Sequence, residues 1–156
     1  MDLLTLLIAC APFVAPNTML AVIHEESRGN PWAIHVNGRQ RFRKVNSYDE
    51  AVTEAKRLMA RGANIDMGLS QINSNTMKNL GLTVEQVFDP CTNIYAGATV
   101  LIRNYRRASN RYQSDQAALR AALSAYNTGN FSKGFENGYV NRLVNRALTT
   151  YPTDSK

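Results

Sequence analysis

The longest regular pattern in this chain is an apolar stripe that runs from about Cys91 to Tyr112. Its apolar residues recur three and four positions apart, which is the spacing of one face of an α-helix. They are Ile94, Ala98, Leu101, Ile102, Tyr105, Ala108 and Tyr112. The opposite side carries arginines: Arg103, Arg106, Arg107 and Arg111. Because an apolar helix face must be covered by other elements, the stripe predicts a core that is built mainly from helices.

Several shorter segments also have helix patterns with start or stop signals. Helices are expected over residues 3–8, about 17–28, 47–59, 76–80, 115–126 and about 138–148. Asn17 or Thr18 can cap the second of these, and Ser47 with Glu50 forms a capping-box pattern for the third. Residues 67–74 are expected to form an irregular turn. The pattern therefore predicts a mainly α protein.

One hairpin signal interrupts the helical pattern. Asn37-Gly38 lies between Ala33–Val36 and Gln40–Val45, and Asn-Gly is the strongest short turn signal for a β-hairpin. A chain of 156 residues is long enough to bury a core as one domain. We therefore expect a single domain over residues 1–156, helical, with one small β-hairpin.

The formal net charge is +6 and the pI is about 9.6. The sequence contains no zinc-ligand array, phosphate-binding glycine loop or RNA-binding signature that would assign this charge to nucleic acid. The four arginines of the long helix are better explained as a solvated face. A basic protein is also attracted to anionic polymers such as a bacterial cell wall, so the charge alone does not identify a partner.

The N-terminal sequence MDLLTLLIAC allows two interpretations. Leu3–Ile8 followed by Cys10 is similar to a lipoprotein-processing site, in which the cysteine becomes lipidated. However, Asp2 is the only charged residue before the apolar run, and that run is shorter than the core of an export signal. We favour a first helix of the mature domain, with the export signal removed. No apolar run approaches the length of a membrane span.

Two adjacent carboxylates, Glu25 and Glu26, lie near the end of the second helix. Residues three and four apart share a helix face, which places Glu26 on the stripe of Val22 and Ile23. Glu25 points about 100° away and is the better candidate for solvent. A carboxyl group that is partly removed from water has a raised pKa and can donate a proton near neutral pH. This stretch alone, however, favours a surface pair at a helix end.

Four motifs that follow one another along the chain change this balance. They are Glu26-Ser27 with Pro31 and Ala33, GLSQIN at 68–73, NIYAGA at 93–98 and AYNTG at 125–129. In order and spacing, from Thr18 to about Val144, they resemble the soluble lytic transglycosylases, the lysozyme-like family 23 of glycoside hydrolases. Three further segments are similar to the transglycosylases of type IV secretion and conjugation systems: CAPFVAP at 10–16, DMGLSQIN at 66–73 and DPC at 89–91.

The resemblance implies a lysozyme-like α+β fold, with a motif-bearing core at about 10–149 and the hairpin beside the active-site cleft. It implies that Glu26 is the single catalytic acid and base. In this family one glutamate protonates the glycosidic oxygen between N-acetylmuramic acid and N-acetylglucosamine. It then accepts a proton from the muramoyl 6-hydroxyl, which closes a 1,6-anhydro ring. This scheme is an exception to the usual pair of carboxylates.

The resemblance also implies the partners and the location of the protein. Peptidoglycan glycan strands are the expected substrate, and proteins of a secretion or conjugation apparatus are the expected partners. The periplasm is the expected location. No cofactor, metal ion, nucleic acid or membrane span is expected.

The same motifs imply residues that contact the substrate. Ser70, Gln71 and Asn73 offer hydrogen bonds that suit acetamido and hydroxyl groups. Tyr126 could form a cleft wall and reach the Glu26 carboxyl group, and Asn127 could bind an N-acetyl group.

Two further positions are expected near the catalytic carboxyl group. Tyr139 matches a late tyrosine that lies beside it in relatives. His35 stands where many relatives carry a serine that contacts it; histidine could donate the same bond, lower the pKa of Glu26, or lie on the solvent side of the hairpin.

Two alternative functions remain open at this stage. A lysozyme-type hydrolase would use water in place of the 6-hydroxyl, and Asp66 is the only other acid near the motifs. A non-catalytic wall-binding assembly module is the second alternative, although such a module would not need to keep Glu26.

The two cysteines, Cys10 and Cys91, are expected to form a disulfide. This expectation rests on the even cysteine count, the envelope substrate and the subgroup likeness of both flanking motifs. The competing interpretation is a lipidated Cys10 with Cys91 as a buried free thiol.

Overall fold

The computed structural model describes residues 1–38, 41 and 43–150, with the backbone alone for residues 148–150. In chain order the elements are α1 (Leu3–Cys10), α2 (Pro16–Ser27), β1 (Ile34–Asn37), α3 (Tyr48–Ala60), β2 (Asn64–Met67), β3 (Ile72–Asn73), α4 (Ser74–Asn79), α5 (Val84–Val87), α6 (Pro90–Ser109), α7 (Asp115–Thr128), α8 (Lys133–Glu136) and α9 (Tyr139–Thr150). The mainly α class with a small sheet is therefore confirmed. Within the described residues, no helix is both long and apolar enough to span a bilayer.

The helix starts follow the capping rules, with one correction. Ser47 accepts a hydrogen bond from the first turn of α3, as the sequence predicts, and Ser114 does the same for α7. The start of α2 differs from the prediction, because Pro16 occupies its first turn and Ala15, which has no capping side chain, precedes it. Proline suits this position, since the first amides of a helix have no partner within the helix.

The predicted hairpin is wrong in its partner strand. Strand β1 pairs antiparallel with β2, in the register Ile34 with Met67, and β3 completes the order β1-β2-β3. The second predicted arm, residues 40–45, lies partly outside the described residues, and the described ones there are not strand. Strand β2 offers fully buried Ile65 and Met67. A strand that buries apolar side chains stabilises the sheet more than a segment in which half of the residues are charged.

Helix α6 contributes residues to the two larger hydrophobic clusters of the protein. One joins α1, α2, α6, α7 and α9 around Ile94 and Leu101. The other joins the sheet, α3 and α5, and Ala96 of α6 contributes to it. Helix α6 thus serves both clusters, which explains its length and its apolar stripe.

A disulfide joins Cys10 at the end of α1 to Cys91 in the first turn of α6, with a Cα–Cα distance of 5.3 Å. It confirms the predicted pairing, and it excludes the lipidated Cys10 with a free Cys91. The bridge fixes the N-terminal helix to the central helix.

Candidate active site

An open cleft of about 680 Å³ lies between the sheet and the helical cluster. Helix α2 contributes Glu26, and the sheet contributes more polar lining residues than any other element. Helices α6 and α7 form the remaining walls. The lining residues are Glu26, His35, Asn37, Asp66, Gln71, Ile72, Asn73, Thr76, Val100, Asn104, Arg107, Ala125, Tyr126, Asn127 and Gly129. Most of the polar residues predicted from the sequence therefore lie in one place.

Glu26 lies where the buried face of α2 reaches the cleft. Val22 and Ile23, one turn earlier on the same face, are fully buried. Burial raises the pKa of Glu26 from 4.5 to about 7, and the negative charges of Asp66 and Glu25 act in the same direction. The hydroxyl of Tyr139 opposes this rise, because it donates a 2.8 Å hydrogen bond to Glu26 Oε1. Glu26 is thus a carboxyl group that can hold or release a proton near neutral pH.

Glu25 has a different environment from its neighbour. Its carboxylate forms an ion pair with Arg142 of α9, and it does not line the cleft. The separation of the two side chains on α2 is the one that helical geometry predicts. Glu25 is partly buried by Arg142 and so is less open to solvent than expected.

Of the two predicted tyrosines, Tyr126 forms a wall of the cleft but, contrary to expectation, does not reach the Glu26 carboxyl group. Tyr126 lines the cleft, but its hydroxyl donates to the carbonyl of Ser70 at 2.6 Å and not to Glu26. Tyr139 is the tyrosine that reaches Glu26, and its ring is almost fully buried. Burial, and next the charge of Glu26, raises the pKa of Tyr139 well above its usual value, so its hydroxyl remains a donor.

The turn at 68–71 is held by Asn93, a residue for which no role was predicted from the sequence. Its Oδ1 accepts from the Ser70 amide at 2.7 Å, and its Nδ2 donates to the carbonyls of Met67 and Val87 at 2.9 Å each. A Cβ at Gly68, whose φ is +76°, would lie 2.3 Å from Asn93 Nδ2. The sequence signal that could have indicated this role is a polar residue, Asn93, on the buried face of α6.

Ser70 itself is fully buried, and the structure does not place it on the described wall of the cleft. Its side chain packs against α6, where a Cβ on Gly97 would be 2.6 Å from it. The expected substrate contact by Ser70 is therefore not supported by its position. Its backbone carbonyl instead orients Tyr126.

Gln71 and Asn73 do line the cleft. Gln71 adopts φ of +53°, an uncommon value for a residue other than glycine, and its Nε2 donates to the carbonyls of Ala33 and Gly68. Its Oε1 thereby remains available as an acceptor. The amide of Asn73 is occupied, since its Nδ2 donates to Asn64 and to Asp66.

His35 and Asp66 are opposite each other in the β1–β2 register, and both line the cleft. The side chain of His35 is exposed, and among the described residues it makes no hydrogen bond to Glu26. Asp66 accepts from Asn37 Nδ2 at 3.1 Å and from Asn73 Nδ2 at 2.8 Å. A second carboxylate is thus held in the same cleft as Glu26.

Asn127 lies on the α7 wall. Its Oδ1 accepts from Asn137 Nδ2 at 2.8 Å, which leaves its own Nδ2 available as a donor. In the described part of the chain, no three His, Cys, Asp or Glu side chains are grouped so as to hold a metal ion.

Comparison with known proteins agrees with the motifs. The Transglycosylase SLT domain matches residues 7–148. The type IV secretion system protein virB1 of Brucella abortus biovar 1 (strain 9-941) is 45% identical over 126 residues, which are 80% of this chain and 53% of that protein. Protein virB1 of Agrobacterium fabrum (strain C58 / ATCC 33970) is 40% identical over 126 residues, which are 80% of this chain and 51% of that protein.

The chain thus spans about half the length of these curated relatives. No solved structure matches it. Because the domain match covers most of the chain and the relatives keep high identity across it, the chain belongs to the transglycosylase SLT domain family.

Proposed function

We propose that this chain is a lytic transglycosylase that cleaves the β-1,4 bond between N-acetylmuramic acid and N-acetylglucosamine in peptidoglycan, leaving 1,6-anhydro-muramoyl ends. The observation that carries the proposal is the Glu26 carboxyl group, which is partly buried, lies in an open polar cleft and is held by Tyr139. Its pKa of about 7 leaves about half of it protonated at neutral pH.

The chemistry needs one group that first donates and then accepts a proton. Glu26 donates its proton to the glycosidic oxygen as the bond from the muramoyl C1 to that oxygen breaks. The muramoyl 6-hydroxyl then attacks C1 and releases its proton to the Glu26 carboxylate. The Tyr139 hydroxyl stabilises the carboxylate between the two steps, since a donor to the charged form favours it.

Side chains around Glu26 supply complementary hydrogen bonds for the sugars. Gln71 Oε1 can accept from an amide or a hydroxyl, and Asn127 Nδ2 can donate to an acetyl oxygen. The ring of Tyr126 provides a wall whose orientation is fixed by Ser70. Tyr139 and His35 are assigned to the same site, Tyr139 as a partner of Glu26 and His35 as a polar group of the opposite wall.

A lysozyme-type hydrolase is the second candidate, and the position of Asp66 favours it. A carboxylate across the cleft from a protonated Glu26 could stabilise the sugar cation or orient a water molecule. Asp66 is, however, hydrogen-bonded by both Asn37 and Asn73, which suits a structural role at the sheet edge equally well. The reaction products separate the two candidates.

The cellular role follows from the relatives and from the disulfide. One relative is described as a type IV secretion system protein, so we assign this chain to a secretion or conjugation apparatus that needs a local opening in the cell wall. The Cys10–Cys91 disulfide supports an oxidising compartment, which for this substrate is the periplasm. Proteins of that apparatus are the proposed partners.

Mass spectrometry of the soluble products from purified peptidoglycan tests the proposal. Anhydro-muramoyl ends are expected, and their loss in Glu26→Gln would tie them to this chain. Reducing muramoyl ends would identify the hydrolase instead, and an Asp66→Asn variant would then be expected to lose activity. Binding of peptidoglycan without any product would indicate the non-catalytic assembly module.

A further inference from the structure

The α6 wall of the cleft carries a guanidinium group that the proposed chemistry does not use. Val100, Asn104 and Arg107 lie on one face of α6, at spacings of four and three, and all three line the cleft. Arg107 is therefore a cation in the same cleft as the carboxyl groups of Glu26 and Asp66.

The guanidinium of Arg107 is held in position by its neighbours. Its Nη2 donates to Asn104 Oδ1 at 2.7 Å. Asn104 is buried, and its Nδ2 donates to the carbonyl of Ala122 on α7 at 3.4 Å. The ring of Phe131 packs against the same guanidinium, with Cζ 5.9 Å from the ring centroid. A group that is oriented before binding loses less conformational entropy when it meets a ligand.

Among the described residues, no carboxylate forms an ion pair with Arg107. The ion pairs of the described residues join Lys56 to Glu85, Arg57 to Glu54 and Arg142 to Glu25, and none of them includes Arg107. Arg111 adds a second cation, because its Cζ lies 5.7 Å from the same Phe131 ring. An oriented guanidinium without a carboxylate partner suits an anionic ligand, and its planar fork of N–H groups matches a carboxylate in particular.

The position of Arg107 along α6 indicates which part of a substrate it can meet. Gly97 packs beneath Tyr126 and Ser70, and Arg107 follows it by about 15 Å along the helix axis. Because Arg107 lies well beyond the contacts of Gly97 along α6, we place it beside sugars that neighbour the reacting bond and beside their substituents. The sugar rings of a glycan strand carry neutral hydroxyl and acetamido groups, whereas the lactyl branch of muramic acid and its peptide carry carboxylates.

We propose that Arg107, oriented by Asn104 and Phe131, forms a subsite that binds a carboxylate on the lactyl–peptide branch of a muramoyl residue, with the acidic stem peptide as the preferred source. This subsite rests on the proposed function, since it assumes a peptidoglycan strand in the cleft. It makes the enzyme prefer peptide-bearing strands over uncharged glycans of the same length.

Equilibrium binding to a Glu26→Gln protein tests the subsite without turnover. Three soluble ligands of matched length are compared: peptide-bearing glycan oligomers, the same oligomers with the peptides removed to leave free lactyl carboxylates, and chitooligosaccharides, which carry no carboxylate. Arg107→Gln in this background is compared with Arg106→Gln. Arg106 is an exposed arginine on the same helix that does not line the cleft, so it controls for general attraction between a basic protein and an anionic polymer.

Arg107→Gln is expected to weaken binding of the peptide-bearing oligomer about tenfold, which corresponds to about 1.4 kcal/mol. Binding of chitooligosaccharides should stay unchanged, and Arg106→Gln should have little effect on any of the ligands. If Arg107→Gln also weakens binding of the peptide-free oligomers, this result supports the proposal as well. It would identify the lactyl carboxylate as a sufficient ligand.

Two results would overturn the subsite while leaving the proposed function intact. One is an equal loss in Arg106→Gln and Arg107→Gln, which would indicate non-specific charge attraction. The other is an equal loss for chitooligosaccharides and carboxylate-bearing strands, which would indicate a sugar contact. If the Glu26→Gln protein binds none of the three ligands, the proposed function fails together with the subsite.

Discussion

The hydroxyl of Tyr139 donates a 2.8 Å hydrogen bond to Glu26 Oε1 and thereby joins the start of α9 to the end of α2. Burial raises the pKa of Glu26, and this bond acts against the rise because it favours the charged carboxylate. The balance of the two effects gives a pKa of about 7. Tyr139 therefore adjusts the proton affinity of Glu26 as well as its position.

Replacing Tyr139 with phenylalanine should raise the pKa of Glu26 further. Since Glu26 must start protonated, activity falls as the pH rises through its pKa, and the alkaline limb of kcat/KM should move upward by about one pH unit. The measurement is the pH dependence of muropeptide release. Tyr105→Phe is the matched control, because the Tyr105 hydroxyl bonds to Asp115 away from the cleft. A limb that stays in place or moves downward in Tyr139→Phe would contradict this account.

Glu26→Gln should abolish muropeptide release and keep the fold, whereas Glu25→Gln should retain most of the activity. The reason is that Glu26 lies in the cleft with a raised pKa, whereas Glu25 is paired with Arg142 outside it. Release of soluble products from peptidoglycan by the two purified variants decides between them. An equal loss in both would remove the assignment of Glu26 as the acid.

Glu26→Gln should also stabilise the folded protein at alkaline pH. The folded pKa of Glu26, about 7, is above its ordinary 4.5, so the folded state binds the proton more tightly than the unfolded state. The native protein then loses stability as the pH rises from 4.5 to 7, by up to about 3 kcal/mol. Glu26→Gln removes this loss. Denaturant unfolding at pH 4 and pH 8 should therefore show a gain in the variant at pH 8 alone; no gain there would mean that the carboxylate is well solvated.

Alanine at Gln71 or Asn127 should lower turnover about fivefold without a large loss of thermal stability. Each side chain keeps one polar atom available after its internal bonds are made, and one lost hydrogen bond corresponds to about 1 kcal/mol. Steady-state turnover and thermal melting are measured together, with Asn75→Ala as a control at an exposed position of α4. A crystal soaked with a chitooligosaccharide whose sugars lie far from Gln71, Asn127 and Tyr126 would contradict the assignment.

The helices could be predicted because their signals are local. The apolar stripe located α6, although its start shifted to Pro90 because Asp89 caps the helix, accepting from the Thr92 amide at 2.9 Å. The sheet could not be predicted in the same way. The partner of β1 lies beyond α3 in the chain, and a nearby Asn-Gly signal competed with a pairing that is decided by burial of Ile65 and Met67.

The candidate site, like the fold, has parts with a local sequence signal and parts without one. The helix face of Glu26 could be predicted from Val22 and Ile23, which lie on the buried side of α2, but its catalytic role needed the four motifs and the family resemblance. Which tyrosine reaches it depends on how α7 and α9 pack against α2, and this packing has no local signal. Asp66 follows from strand alternation only once β2 is known, because Ile65 and Met67 face the core and the residue between them faces the cleft.

The Cys10–Cys91 disulfide should stabilise the fold without contributing to the chemistry. It closes a loop with a sequence separation of 81 between α1 and α6, and in the chain-entropy model such a closure is worth up to about 4 kcal/mol. A Cys10→Ser/Cys91→Ser variant should therefore unfold at lower denaturant concentration and keep its activity at low temperature, because neither cysteine lines the cleft. Intact mass with alkylation of the denatured, unreduced wild-type protein checks the bridge itself. Two alkylated thiols in that sample would rule the disulfide out, and unchanged unfolding of the double variant would show that the bridge adds no stability.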